Sequence, residues 1–184
     1  LGEVDSVVAD TAIFVPERAR PTTATAGHAR AAGGELGPVE NEDYVSSLLR
    51  MVSGARVVLE ASRVAVGEQN NYGFEIHGTR GAVSWDFRRM NELAASLGDA
   101  YQDQPVSTTY VGPGHGHFAA FQPGAAVAMG FDDLKVIEAW NFLCSIAEGA
   151  AHGATVADAV RSAATLDALA KAAETGTWVK VPTP

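Results

Sequence analysis

A chain of 184 residues with 47% hydrophobic and 19% charged residues can bury a sizeable core, which excludes a disordered polymer. With 22 acidic against 13 basic residues the formal charge is −9, so the chain lacks the basic footprint that nucleic acid or an acidic membrane surface attracts. No run reaches the roughly 20 apolar residues of a membrane span and no basic-then-apolar leader opens the chain, so a soluble cytoplasmic protein is expected.

Glu3 to Pro16 reads as a strand, because Val4, Val7, Val8, Ala12, Ile13, Phe14 and Val15 are apolar or β-branched and Pro16 ends the ladder. Residues 17–39 carry no period and read as a long surface loop. The Gly33-Gly34 pair in it has no strand before it and no helix after it, so it is not a phosphate cradle. Asp43 to Val52 and Arg56 to Val66 read as a hairpin turning at Gly54.

Gln69 to Phe87 reads as the centre of the sheet. Tyr72, Phe74 and Ile76 point one way and Gly73, Glu75 and His77 the other. Gly78-Thr79-Arg80-Gly81 reverses the chain, and Val83, Trp85 and Phe87 then alternate with Ser84, Asp86 and Arg88. Met90 to Ser96 and Val106 to Val111 follow as further strands, while Gly112 to Gly130 is glycine-rich and aromatic without a clear period.

From Asp132 to Glu148 the period becomes helical, with Lys135, Glu138, Asn141, Ser145 and Glu148 as the polar stripe. Gly149 is the expected stop, and the apolar surroundings of Cys144, the single cysteine, mark it as a buried inert thiol. Thr155 to Asp158 resembles a capping box opening an alanine-rich helix to about Glu174, with Gly176 as its C′ residue. Trp178 to Val181 is a last short strand. Strands first and helices afterwards predict one α+β domain over residues 1–184, an open and predominantly antiparallel sheet with helices packed on one face. The strands are apolar on both sides, Tyr44, Leu48 and Val52 against Val45, Leu49 and Met51, so the other face is expected to be an oligomer interface giving a homodimer or homotetramer.

Val57 to Gly67, Tyr72-Gly-Phe-Glu-Ile-His-Gly-Thr-Arg-Gly-Ala-Val, Met90-Asn-Glu-Leu, Phe142-Leu-Cys-Ser-Ile-Ala-Glu-Gly and Thr175-Gly-Thr-Trp-Val-Lys-Val follow one another in an order that resembles a known family. It is the C-terminal domain of the glucose–fructose oxidoreductase / inositol dehydrogenase / MocA family. The resemblance implies a substrate-binding and oligomerisation domain of an NAD(P)-dependent oxidoreductase acting on a sugar, polyol or related secondary alcohol. It also implies that the nucleotide-binding domain and the Asp/His catalytic helix lie outside these residues. NAD or NADP is therefore expected for the longer parent, and no cofactor, catalytic residue or metal for this chain alone. The rival reading is a stand-alone binding or scaffolding subunit with the same sheet.

By that resemblance Tyr72 stands where some polyol dehydrogenases reach their substrate with a phenol. A tyrosine offers a sugar an apolar face and a hydroxyl. Asn70 and Asn71 can bond hydroxyls beside it. His117 lies in a loop that in related dehydrogenases can border the sugar pocket. His115 and His117 lack a third metal ligand, since no Asp, Glu or Cys lies within ten residues on either side. The predicted substrate contacts are thus Tyr72, His117 and Asn70, and His77 is read as structural.

Overall fold

Alternation along the first strand, β1 (Val4–Ala12), sends Val7 to one side and Val8 to the other. In a computed structural model, which describes residues 1–20, 34–122, 124–125 and 127–183, the chain divides into two compact units. The first comprises Leu1–Val66 with Thr155–Pro184, and the second Gly67–Ala154. Among the described residues no helix is long and apolar enough to cross a membrane.

In the first unit β1 pairs antiparallel with β4 (Tyr44–Met51), which pairs with β5 (Arg56–Ser62), while β10 (Val179–Lys180) adds to the far edge of β1. The register aligns Val7 with Leu49 and Leu49 with Val57 on one face. Helix α3 (Val156–Thr175) packs Ala168, Leu169 and Ala172 against them, so its alanines let helix and sheet approach closely. Leu49 and Leu169, 5% and 7% exposed, each contribute about 1.5–3 kcal/mol by leaving water. The opposite face carries the row Val8, Leu48, Val58.

The caps of α3 are those expected. The Thr155 hydroxyl accepts from Asp158 N at 3.3 Å, and Thr155 N donates to Asp158 Oδ2 at 2.8 Å. Hydrogen bonds from the Thr155 hydroxyl, the Thr155 backbone and Arg161 hold the Asp158 carboxyl well below the usual carboxylate range. Gly176 closes the helix at φ 63°, a left-handed conformation that glycine takes without penalty.

Three boundaries differ from expectation in this unit. Strand β5 stops at Ser62, where the strand was expected to reach Val66. β1 ends at Ala12, not near Pro16, because the buried Asp43 carboxylate accepts from Phe14 N at 3.0 Å and Val15 N at 2.8 Å and pulls those groups off the ladder. Arg18 Nη2 bonds the other carboxylate oxygen. The expected loop 17–39 begins and ends in a two-stranded ribbon, β2 (Glu17–Ala19) against β3 (Leu36–Pro38), closed by Arg20 N to Glu35 O at 2.9 Å. Its middle, residues 21–33 with Gly33 of the glycine pair, lies outside the described residues.

The second unit is a four-stranded antiparallel meander, β6 (Gly73–Gly78), β7 (Gly81–Asp86), β8 (Glu92–Leu97) and β9 (Ser107–Tyr110). The predicted hairpin is present, with Phe74 opposite Trp85, Ile76 opposite Val83, and Gly78 opposite Gly81 across Thr79-Arg80, but it is not the centre of the sheet, since β6 is an edge strand. Gly81 has φ 152° and a Cβ there would stand 2.6 Å from Ser96 O, so the turn needs a glycine. A single 3₁₀ turn, Phe87–Arg89, follows, capped by Asp86 accepting from Arg88 N at 2.8 Å. A short helix, α1 (Phe118–Phe121), interrupts the glycine-rich stretch, and α2 (Phe131–Glu148) ends at Gly149 with φ 64° as expected.

Helix α2 turns differently from its predicted stripe. It buries no residue, and its half-buried side holds Leu134, Ile137, Asn141, Cys144 and Ser145, while Val136, Leu143 and Ile146 are 56%, 60% and 66% exposed. Ser145 tolerates partial burial because its hydroxyl donates to Asn141 O at 2.8 Å and accepts from His152 N at 3.0 Å. Cys144 is half-buried, less enclosed than expected.

Candidate functional site

The hairpin register puts aromatic residues on one side of two neighbouring strands, and they form a continuous strip. Phe74 stacks on Trp85 at a centroid distance of 6.0 Å, Tyr72 meets Trp85 edge-on at 5.6 Å, and Tyr72 stacks on Phe87 at 4.4 Å. Trp85 cannot rotate freely, since its indole N–H donates to Met90 O at 3.1 Å. Tyr72 is held from behind by its own carbonyl, which accepts from Phe87 N at 2.9 Å. Tyr72 remains 57% exposed, and its hydroxyl has no hydrogen-bond partner among the described residues. An apolar ring face with a free hydroxyl can take one face of a polyhydroxylated ring.

A polar rim borders the strip. Arg88 lies 3.6 Å from Glu68 and 3.7 Å from Asp86, and the Asn71 amide bonds Glu68. Asn70 is exposed at φ 49°, the one non-glycine residue with positive φ among the described residues, a conformation asparagine tolerates in turns.

His117 stands elsewhere in the same unit, exposed at the N-cap of α1, with its ring edge-on to Phe121 at 6.5 Å. Phe121 in turn meets Trp140 of α2 at 6.4 Å, and Phe118, 1% exposed, anchors α1. His115 is committed locally, its Nδ1 accepting from Gly112 N at 3.0 Å. His77, exposed on β6, faces Glu75 at 3.5 Å. The structure thus brings Tyr72 and Asn70 to one strand entry, and no hydrogen bond, ion pair or ring contact among the described residues joins His117 to them. No group of three or more His, Cys, Asp or Glu among the described residues could hold a metal ion.

Trp85, Phe87 and Asn91 join the site in the structure without standing out in the sequence as substrate-side residues. The first two were legible as aromatic cross-strand and adjacent partners of Phe74 and Tyr72. Asn91 was not, because its partner Met129 is 38 residues away. A cavity of about 480 Å³ in the first unit, lined by Glu3, Asp158, Arg161, Ser162, Thr165 and Val181, contains none of the predicted site residues.

Residues 1–181 match the family model described as oxidoreductase family, C-terminal alpha/beta domain, of the glucose–fructose oxidoreductase / inositol dehydrogenase / MocA proteins. Levoglucosan dehydrogenase of Pseudarthrobacter phenanthrenivorans is 34% identical over 185 residues, covering 99% of this chain and 47% of that protein. Among solved structures, levoglucosan dehydrogenase in its apo form superposes over 100% of this chain and 47% of its own, with a TM-score of 0.90 and 34% identity. Its complex with NADH and levoglucosan has a TM-score of 0.85 and 32% identity, over 99% of this chain and 46% of that one. The chain therefore spans about half the length of the relatives it matches, 47% in the first of them. On this evidence of fold and sequence together, the chain belongs to the C-terminal alpha/beta domain family of the glucose–fructose oxidoreductase / inositol dehydrogenase / MocA oxidoreductases.

Proposed function

We propose that this chain is the substrate-binding and oligomerisation domain of an NAD-dependent dehydrogenase acting on a sugar, polyol or related secondary alcohol. The observation that carries the reading is the likeness, along the whole chain, to a dehydrogenase whose solved forms include a complex with NADH and levoglucosan. Residues 1–184 act as one substrate-side domain, and the nicotinamide cofactor, when bound to the longer parent, supplies the hydride acceptor. The residues of this chain bind and orient the alcohol. Tyr72 gives the sugar a ring face and a hydroxyl hydrogen bond, Asn70 a further bond at the strand entry, and His117 a polar group from the α1 loop. The aromatic strip behind Tyr72 keeps that ring in one orientation, which lowers the cost of ordering it on binding.

In the dehydrogenase of which this chain is part, Tyr72→Phe and His117→Ala are each expected to lower kcat/KM for the true substrate roughly two- to tenfold, the loss of one hydrogen bond of about 0.5–1.5 kcal/mol. Steady-state kinetics over a panel of anhydrosugars and polyols measures this, and wild-type values for both variants reject the assignment.

The 184-residue chain by itself is expected to bind neither NAD nor NADP at micromolar levels. The one such succession among the described residues, β9 through Gly112-Pro-Gly-His-Gly-His117 into α1, has a histidine where the third glycine of a pyrophosphate turn belongs and a helix of only four residues. Calorimetric titration giving a micromolar dissociation constant for either cofactor contradicts it.

A further inference from the structure

The stretch between β9 and α2 has no sequence period, yet both of its ends meet one residue. Val111 N donates to the carbonyl of Asn91 at 2.9 Å. At the other end the Asn91 carboxamide lies against the backbone of Met129, with Nδ2 donating to Met129 O at 2.9 Å and Met129 N donating to Oδ1 at 2.9 Å. A primary amide offers a donor and an acceptor in one plane, so it pairs with a peptide unit as a neighbouring strand would. Asn91, next to the first residue of β8, is thereby the neck of a closed loop. Within the loop, His115 N bonds Gly112 O at 2.9 Å and Phe118 N bonds His115 O at 3.0 Å, and Phe118 is buried. His117 therefore sits on a locally bonded element whose two ends are tied to one strand.

We propose that Asn91 is a positioning residue for the substrate: by clamping Val111 and Met129 to β8 it sets where His117 meets the sugar. This rests on the reading of His117 as a substrate contact. The effect is geometric, since Asn91 itself is half-buried against backbone and its carboxamide has both partners there. Displacing His117 from the sugar forfeits at most the one hydrogen bond it makes, up to roughly tenfold in kcat/KM.

Two variants and two readouts test this. In Asn91→Ala the carbonyl bond to Val111 remains while both bonds to Met129 are lost, and in Asn91→Asp only the acceptor for Met129 N survives. Hydrogen exchange on the 184-residue chain is expected to quicken about tenfold at Met129 and around Phe118 in the alanine variant, and at least as much in the aspartate variant, whose second oxygen faces the Met129 carbonyl. In the dehydrogenase, both are expected to raise KM for the sugar by roughly two- to tenfold, no more than His117→Ala does, with the affinity for NADH unchanged. Should Asn91→Ala fail to fold, Asn91→Asp carries both measurements. Unchanged exchange in the isolated chain overturns the clamp without reference to activity. Quickened exchange with an unchanged sugar KM, in a protein where His117→Ala does raise KM, overturns the positioning role alone. If His117→Ala has no effect either, the reading of His117 falls and takes the positioning role with it.

Discussion

Replacing Asp43 with alanine is expected to destabilise the chain by about 3–5 kcal/mol, the scale seen when one partner of a buried ionic network is removed. The Asp43 side chain has no exposed surface, against 36% for the Arg18 side chain that bonds it. Such a carboxylate is tolerable only because three donors surround it: the N–H groups of Phe14 and Val15, at 3.0 and 2.8 Å, and Arg18 Nη2. Truncation leaves two backbone donors without an acceptor, and each such orphan costs about 1–3 kcal/mol. Arg18 loses less, because its exposed part regains water. Asp43→Asn keeps the shape and an acceptor but turns an amide donor toward other donors, so it is expected to recover only part of the loss. Urea unfolding followed by tryptophan fluorescence, with Trp85 and Trp140 replaced by phenylalanine, reads the first unit through Trp178, whose indole lies under the Arg50 guanidinium at 3.9 Å. A change below about 1 kcal/mol would mean that water replaces the carboxylate and that the network is not a structural hub.

Asp43 also shows which part of the fold was legible in the sequence. Features decided within a few residues were readable: the Thr155–Asp158 cap, the Gly149 and Gly176 stops, and the hairpin through Gly78 and Gly81. Features decided at long range were not. Ile13, Phe14 and Val15 look like strand, and only a carboxylate 29 residues from Phe14 removes them from the ladder. Glu17–Ala19 has too few residues to show a period, so its pairing with Leu36–Pro38 was invisible. The face of α2 was misread for a related reason: Ser145 and Asn141 are polar by type, but Ser145 spends its hydroxyl on the helix backbone and on His152 N. The candidate site divides in the same way. Tyr72 and its aromatic neighbours follow from strand alternation, whereas the clamp on the His117 loop depends on a contact 38 residues apart.

A charge placed at Val58 is expected to dissociate the oligomer that we propose forms through the sheet face opposite α3. On that face the row Val8, Leu48, Val58 crosses three strands, and Leu48 and Val58 are 50% and 76% exposed. Two residues further along the strands lie Asp10, Ser46 and Glu60, and two residues back lie Arg50 and Arg56, so the apolar row is flanked by acid on one side and base on the other. A twofold rotation about the row would lay the acidic flank of one copy on the basic flank of the next and bury the apolar rows together. Such a patch is self-complementary, with an apolar centre and a charged rim. Val58→Glu puts a carboxylate against its own symmetry mate in the dry centre, a loss of several kcal/mol, while its exposure in the single chain leaves the fold intact. Glu60→Gln changes only the rim and is expected to weaken association slightly and make it less sensitive to salt. Sedimentation velocity at micromolar concentration separates these cases. The wild type should run as a dimer or larger and Val58→Glu as a monomer. A monomeric wild type, or an oligomer indifferent to charge at Val58, would place the association elsewhere or remove it altogether.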